Sequence, residues 1–247
     1  MKTYDYKSEF LDSIFRKTKG KRIKVLDMGC GTSKNIPQLL REYPNILYTG
    51  VELDSSALSK ARIFLKDFPE VTLIDQYGEH LKSNYNNNFD VTFSLSVLEH
   101  VKYLDNFLQT SIDVTKVGGK IIHRYDLGHA LHSKSLKERF KIILCKYSPF
   151  LIPASRFTTH PESARIADFF EKRNVEVTSI TYSQIPCLKG LVNKLDWESR
   201  EQSLEVGRKI VELDHLLANY MQTILSEKEM EYSFPTVSIY GRKKGKN

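Results

Sequence analysis

No apolar run in these 247 residues is long enough to cross a bilayer as a helix. The opening stretch, MKTYDYKSEF, is charged and lacks the apolar segment of a secretory leader. Cysteine is scarce. Cys30, Cys145 and Cys187 lie far apart, form no CxxC pair and make no disulfide framework. These absences predict a soluble protein of a reducing, cytoplasmic compartment. Internal repeats and low-complexity segments are also missing. The charge imbalance is modest: a net +7 permits an anionic partner without demanding one.

What is present is alternation. RIKVLDM, ILYTGVEL, VTLID, FDVTFSLSV and KIIHRYDL read as strands. Between them KNIPQLLREYP, SSALSKARIFLKDF and LDNFLQTSIDVTKV read as helices. The second is capped by Ser55 or Ser56, and the third is ended by Gly118 and Gly119. Ahead of the first strand, residues 7–18 form an amphipathic helix with Phe10, Leu11, Ile14 and Phe15 on one face. Strands and helices in this order imply a parallel sheet covered on both faces, a doubly wound α/β domain. VEVTSITYSQI and TVSIYGRKK add two strands near the end, which makes a mostly parallel sheet of seven. Helical insertions fall in the C-terminal half, at 126–160 and 185–232. Ligands in such sheets bind beyond the carboxyl ends of the strands.

The first of those ends reads VLDMGCGTSKN. Glycine there permits positive φ and lets a ligand approach the backbone. A dinucleotide fingerprint needs a third glycine, where this chain has Lys34, and it seats a pyrophosphate on the helix N-terminus. Asp27, two residues before Gly29, would repel a phosphate and attract a cation. A ligand with a positive amino group and no phosphate fits better, and S-adenosylmethionine is such a ligand. Glu52 ends the second strand 21 residues after Gly31, the spacing at which an acid can accept from both ribose hydroxyls. The competing readings are structural: Asp27 as a helix cap, Glu52 or Asp54 as the cap of the helix at Ser55. Cys30 reads as a small apolar residue, not a nucleophile.

VLDMGCGTS, YTGVELDSSAL, FDVTFSLSVLEHV and KVGGKIIHR, in that order, resemble class I S-adenosylmethionine-dependent methyltransferases over roughly the first 125 residues. The resemblance implies a Rossmann-like methyltransferase fold, with residues 1–247 as one domain behind an N-terminal helix at 1–20. It places the loop of Gly29, Cys30 and Gly31 against the methionine part of the cofactor and Glu52, with Leu53, at the ribose. It assigns the pair Asp75 and Gln76, with Glu79 as rival, to the adenine amino group. Ser94 to Ser96 should line the methionine side. Glu99–His100 is a pair the family often carries. In relatives that methylate quinone precursors an acid joins that pair to hold a divalent metal; the matching position here is Ser96, and no metal is assigned.

Methyl transfer to a hydroxyl needs alignment and a base near the ends of strands four and five. HRYDLGHALH supplies His123, Asp126 and His129 there, with His129 as the expected base and Asp126 as its orienting acid. His100 is a further catalytic candidate. This segment also resembles, more loosely and out to about residue 177, bacterial methyltransferases of polysaccharide and other sugar-containing products. That implies a sugar or similar polar hydroxyl as acceptor. Leu136, Phe140, Ile143, Leu144 and Tyr147 share a helical face with Lys134, Lys137, Arg139, Lys141 and Lys146 spread around it. That helix reads as an ordinary cover or as a lid preferring anions. Val206, Ile210, Leu213, Leu217, Tyr220 and Ile224 space themselves as a homodimer seam or as packing on the same domain. Nucleic-acid methylation is disfavoured, because SLSVLEHV stands where base-amine methyltransferases carry an Asn/Asp-Pro-Pro-aromatic motif.

Overall fold

Alternation along the first strand decides where everything else goes. Leu26 and Met28 are fully buried on one face, while Val25 is buried on the other, which Asp27 shares. A strand buried on both faces belongs inside a sheet. The computed structural model describes residues 6–18, 20–81, 85–132, 135–195 and 201–245, with the backbone alone for Lys17, Glu79, His129, Ala130, Ser155, Glu201 and Gln202.

The chain runs α1 (Tyr6–Phe15), β1 (Ile23–Met28), α2 (Ile36–Glu42), β2 (Ile46–Glu52), α3 (Ser55–Phe64), β3 (Thr72–Asp75), β4 (Phe89–Leu95), α4 (Leu104–Val114), β5 (Thr115–Asp126) and α5 (Gly128–Leu131). It continues through α6 (Leu136–Tyr147), α7 (Ser163–Glu171), β6 (Val175–Ser183), α8 (Pro186–Val192), α9 (Glu201–Met221), α10 (Glu227–Ser233) and β7 (Thr236–Lys243). The sheet order is β3-β2-β1-β4-β5-β7-β6. The first five strands are parallel, and β7 lies antiparallel between β5 and β6. The order reverses between β1 and β4, so the crevice of the doubly wound sheet opens at their carboxyl ends.

One face of the sheet packs under α4, α7 and α10, around Phe107, Ile112, Tyr125, Phe170 and Ile239. The other packs under α1, α2 and α3, around Phe10, Phe15, Leu40, Tyr48, Leu58 and Phe93. Burying a Phe of this kind is worth roughly 2–3 kcal/mol. The predicted face of α1 is the buried one, joined by Tyr6. Asp54, not Ser55 or Ser56, caps α3 by accepting from the N–H groups of Ser56 and Ala57.

Two expectations need correction. The helix after β4 ends at Val114, not at Gly118. Thr115 already pairs with Phe89, and its hydroxyl donates to the Ser111 carbonyl. Gly118 and Gly119 sit in β5, where the register jumps from Phe89↔Thr115 to Val91↔Lys120. A Cβ on Gly119 would lie 3.0 Å from the Asp90 carbonyl oxygen, so the irregularity needs glycine there. The second correction is α6, which does not cover the core: Cys145 is its one buried residue among those described. On α9 the predicted stripe divides. Ile210 and Leu217 pack inward, while Val206, Leu213, Tyr220 and Ile224 are exposed. The predicted start of that helix, at 197–200, lies outside the described residues.

Candidate active site

Beyond the ends of β1, β2 and β4 lies a cavity of about 940 Å³. Its floor is the turn after β1. Gly29 and Cys30 both donate their N–H groups to the Val51 carbonyl at 2.8 and 2.9 Å, which folds the turn back over β2. Gly29 and Gly31 take φ of +88° and +55°. A Cβ on Gly29 would stand 2.6 Å from Val97 Cγ2, so the close approach of the β4 loop requires glycine as well. Cys30 tucks its sulfur against Gly50, and burial pushes its thiol up to about 12. It is a packing residue, as expected.

Glu52 holds this turn from the neighbouring strand. Its Oε2 accepts from Gly31 N–H at 2.8 Å, and its Oε1 accepts from the N–H groups of Leu53 and Asp54. Asp27 is not a helix cap. Its Oδ2 accepts from the Tyr48 hydroxyl at 2.8 Å, and its Oδ1 is buried with no hydrogen-bond partner among the described residues. Burial pushes this carboxyl up to about 7, against the Tyr48 hydrogen bond, which favours the charged form. Asp27, Gly29, Cys30, Gly31, Glu52 and Leu53 all line the cavity.

The third strand contributes Gln76, Tyr77 and Gly78 to the cavity. Asp75 does not line it: the residue is exposed, opposite Glu52 in the sheet register. Of the pair expected at the adenine only Gln76 lines the cavity, and the side chain of Glu79 lies outside the described residues. At the end of β4, Ser96 takes φ of +57°, donates its N–H to the Arg124 carbonyl and faces the cavity with Leu95 and Val97.

Ser94 points the other way. Its hydroxyl meets His123 Nδ1 at 2.8 Å, and His123 Nε2 lies 3.2 Å from the Ser111 hydroxyl. Both side chains are fully buried under α4 and α7, where the imidazole sits between Phe107 and Phe170. Burial pulls His123 down to about 3, so it is a neutral core residue at ordinary pH. The assignment of Ser94 to the cofactor and of His123 to catalysis is therefore corrected. The period-two alternation of β5 puts His123 with Ile121 and Tyr125 on the face away from Asp27.

Asp126 is likewise bonded to structure. Its Oδ1 accepts from Gly128 N–H, and its Oδ2 pairs with the Lys189 ammonium from α8. It does not line the cavity, and the side chain of His129 lies outside the described residues. His100 does line the cavity, at the end of a single 3-10 turn, Leu98–His100. Its neighbour Glu99 turns inward. Glu99 Oε1 accepts from Asp126 N–H, Oε2 is buried without a partner among the described residues, and burial pushes the carboxyl up to about 7. Among the described residues no three His, Cys, Asp or Glu converge as metal donors.

Further lining residues carried no sequence signal of a site, among them Lys7 and Leu11 from α1, Phe107 from α4, Lys102 and Ala154. Lys102 donates to the Ile152 carbonyl at 2.8 Å, which ties the segment after α6 to the cavity rim.

The model of the family described as "Methyltransferase domain" matches residues 19–145, just over half of the chain. This chain belongs to that family, and it is a class I methyltransferase whose cofactor is S-adenosylmethionine. It is 25% identical over 169 residues to the ubiquinone biosynthesis O-methyltransferase of Shewanella pealeana, a match covering 66% of this chain and 68% of that one. Solved structures share the fold. A candidate sarcosine dimethylglycine methyltransferase from Galdieria sulphuraria superposes with a TM-score of 0.62 at 12% identity, covering 98% of this chain and 85% of that one. The phosphoethanolamine N-methyltransferase 2 of Haemonchus contortus, solved with S-adenosylmethionine, gives 0.58 at 17% identity, covering 96% and 53%.

Proposed function

We propose that the enzyme moves a methyl group from S-adenosylmethionine to a hydroxyl of a small polar acceptor, a sugar or sugar-containing metabolite, with His100 as general base. The observation that carries this reading is one cavity lined both by the Asp27–Glu52 turn and by His100 and Lys102. The turn fits the cofactor's chemistry. The partnerless Asp27 Oδ1 suits an ammonium, and Gly31, at positive φ with open space where a Cβ would stand, leaves its backbone open to close approach. Glu52 is set at the end of β2 to take ribose hydroxyls, and Gln76 with Tyr77 to border the adenine.

When bound, the cofactor supplies an electrophilic methyl carbon. The chain's own tasks are then alignment and proton removal. His100 takes the acceptor's hydroxyl proton; an imidazole suits that task near neutral pH. Lys7 and Lys102 bring positive charge to the same cavity, which suits an acceptor that carries phosphate or carboxylate. The relative from Shewanella pealeana bears the name of an O-methyltransferase, which favours oxygen as the methylated atom.

The test has two stages. Calorimetry with S-adenosylhomocysteine reads the cofactor site. Methyl uptake from labelled S-adenosylmethionine is then measured with sugars, nucleotide sugars and structured RNA. Uptake into sugar hydroxyls supports the reading. Uptake into RNA alone would replace it with nucleic-acid methylation, and cofactor binding without transfer to any acceptor would leave a binding protein.

A further inference from the structure

The helix α6 is built the wrong way round for a cover. Ser135 caps it by accepting from Glu138 N–H, so its start is well defined. Leu136, Phe140, Ile143 and Tyr147 then recur every three or four residues and so share one side. Amphipathic helices normally bury such a stripe. Here those four side chains are 81, 62, 53 and 74% exposed, and Phe150 and Leu151 in the following 3-10 turn are equally open. Isolated exposed apolar residues need no explanation; six in sixteen consecutive positions do.

The charges around the stripe are ordered as well. By helical position Lys137 flanks it on one side and Arg139 and Lys146 on the other, while Lys141 turns back to donate to the Thr158 hydroxyl. Glu138, the one acid of the helix, falls on the far side, as does the buried Cys145. An apolar centre with cations along both margins is the pattern of a helix lying in a bilayer interface. There lysine and arginine stems extend over acyl chains while their charges reach lipid phosphates. Twelve residues are too few to span a membrane, so the helix must lie flat. Pairing this face with the same face of a second copy would bring cations against cations along both edges.

We infer that α6 and the turn Pro149–Leu151 form a docking surface for an anionic lipid bilayer. The surface leads into the site. Ile152, directly after the turn, holds Lys102, and Ala154 lines the cavity. Docking sets the cavity rim at the membrane surface, where acceptors with lipid tails or anionic head groups are concentrated.

The experiment is flotation of the full chain with vesicles of phosphatidylcholine alone or of phosphatidylcholine and phosphatidylglycerol in equal parts. The chain is expected to float with the anionic vesicles, less so at high salt, and to stay behind with the neutral ones. The double variant Lys137→Gln/Lys146→Gln should lose about fivefold in partitioning per charge removed. The double variant Leu136→Ser/Phe140→Ser should lose about tenfold or more. Both positions in the serine variant are exposed, so far-UV circular dichroism should be unchanged; if it is not, the glutamine variant decides alone. Titration with S-adenosylhomocysteine reads the cofactor site separately, so loss of docking and loss of the enzyme are told apart. Failure to float with anionic vesicles, or equal flotation with neutral ones, overturns the inference. So does a dimer that the serine variant abolishes, which would give this face to a second copy.

Discussion

Gly31 donates its backbone N–H to Glu52 Oε2 at 2.8 Å, joining the glycine turn after β1 to the last residue of β2. The other oxygen of the same carboxylate accepts from Leu53 and Asp54. An amide offers one acceptor in place of two. Glu52→Gln should therefore weaken S-adenosylhomocysteine binding by about 1–2 kcal/mol, and Glu52→Ala by more. Calorimetry checks this, and equal affinity in all three proteins would remove Glu52 from the cofactor site.

Asp27→Asn should separate binding from stability. The wild-type carboxylate is buried, and its charge carries a desolvation cost that a neutral amide lacks. The variant is expected to be more stable than the wild type above pH 7, on the order of 2 kcal/mol by urea unfolding. The same substitution should weaken S-adenosylhomocysteine binding by about 1–3 kcal/mol, since a cationic amino group loses its counter-charge.

The pH dependence follows from the same residue. Burial raises the Asp27 carboxyl to about 7 in the folded chain, well above its value in the unfolded one. Glu99 is raised in the same direction. The folded chain thus holds extra protons, and its stability without ligand should fall as pH rises from about 4 to about 7. Ligand affinity should run the other way. It should drop as pH falls through about 7 and Asp27 takes up a proton, and Asp27→Asn should flatten the curve. Calorimetry across that range measures both proteins.

Gly29→Ala adds a methyl at φ of +88° and 2.6 Å from Val97 Cγ2. A loss of about 1–3 kcal/mol of stability is expected. Val97→Ala in the same chain should recover the steric part and leave the backbone strain. A double-mutant cycle by urea unfolding would show that coupling.

His100→Ala should lower kcat about 10²-fold or more with S-adenosylhomocysteine affinity nearly unchanged. His129→Ala, one residue into α5, is the control for the histidine cluster after β5 and should be milder. A near-normal rate for His100→Ala beside a collapse for His129→Ala would exchange their roles.

The turn after β1 was legible because it is local. Asp27, Gly29 and Gly31 lie within five residues at a strand end, and Glu52 ends the next strand. Spacing along the chain therefore carried most of the geometry. The reading failed where a side chain's face mattered. HRYDLGH looks like a catalytic cluster in sequence, but strand alternation sends His123 into the core, and Lys189 from α8 claims Asp126. Gly118 and Gly119 resemble a helix stop, although they serve a register jump that only the partner strand β4 reveals. Lys7 and Ala154 reach the cavity by long-range packing, for which no local pattern exists. The apolar spacing of α6 was visible, but its exposure was not, since periodicity marks a face without saying what covers it.

The strand that comes last in the chain, β7, is inserted between β5 and β6. In synthesis the native partner of that edge of β5, residues 236–243, is made last of all the strands and long after the turn around Asp27. The N-terminal strands β1 to β4 are therefore made well before the sheet can close. That interval is when an exposed β5 edge is open to pairing with another chain.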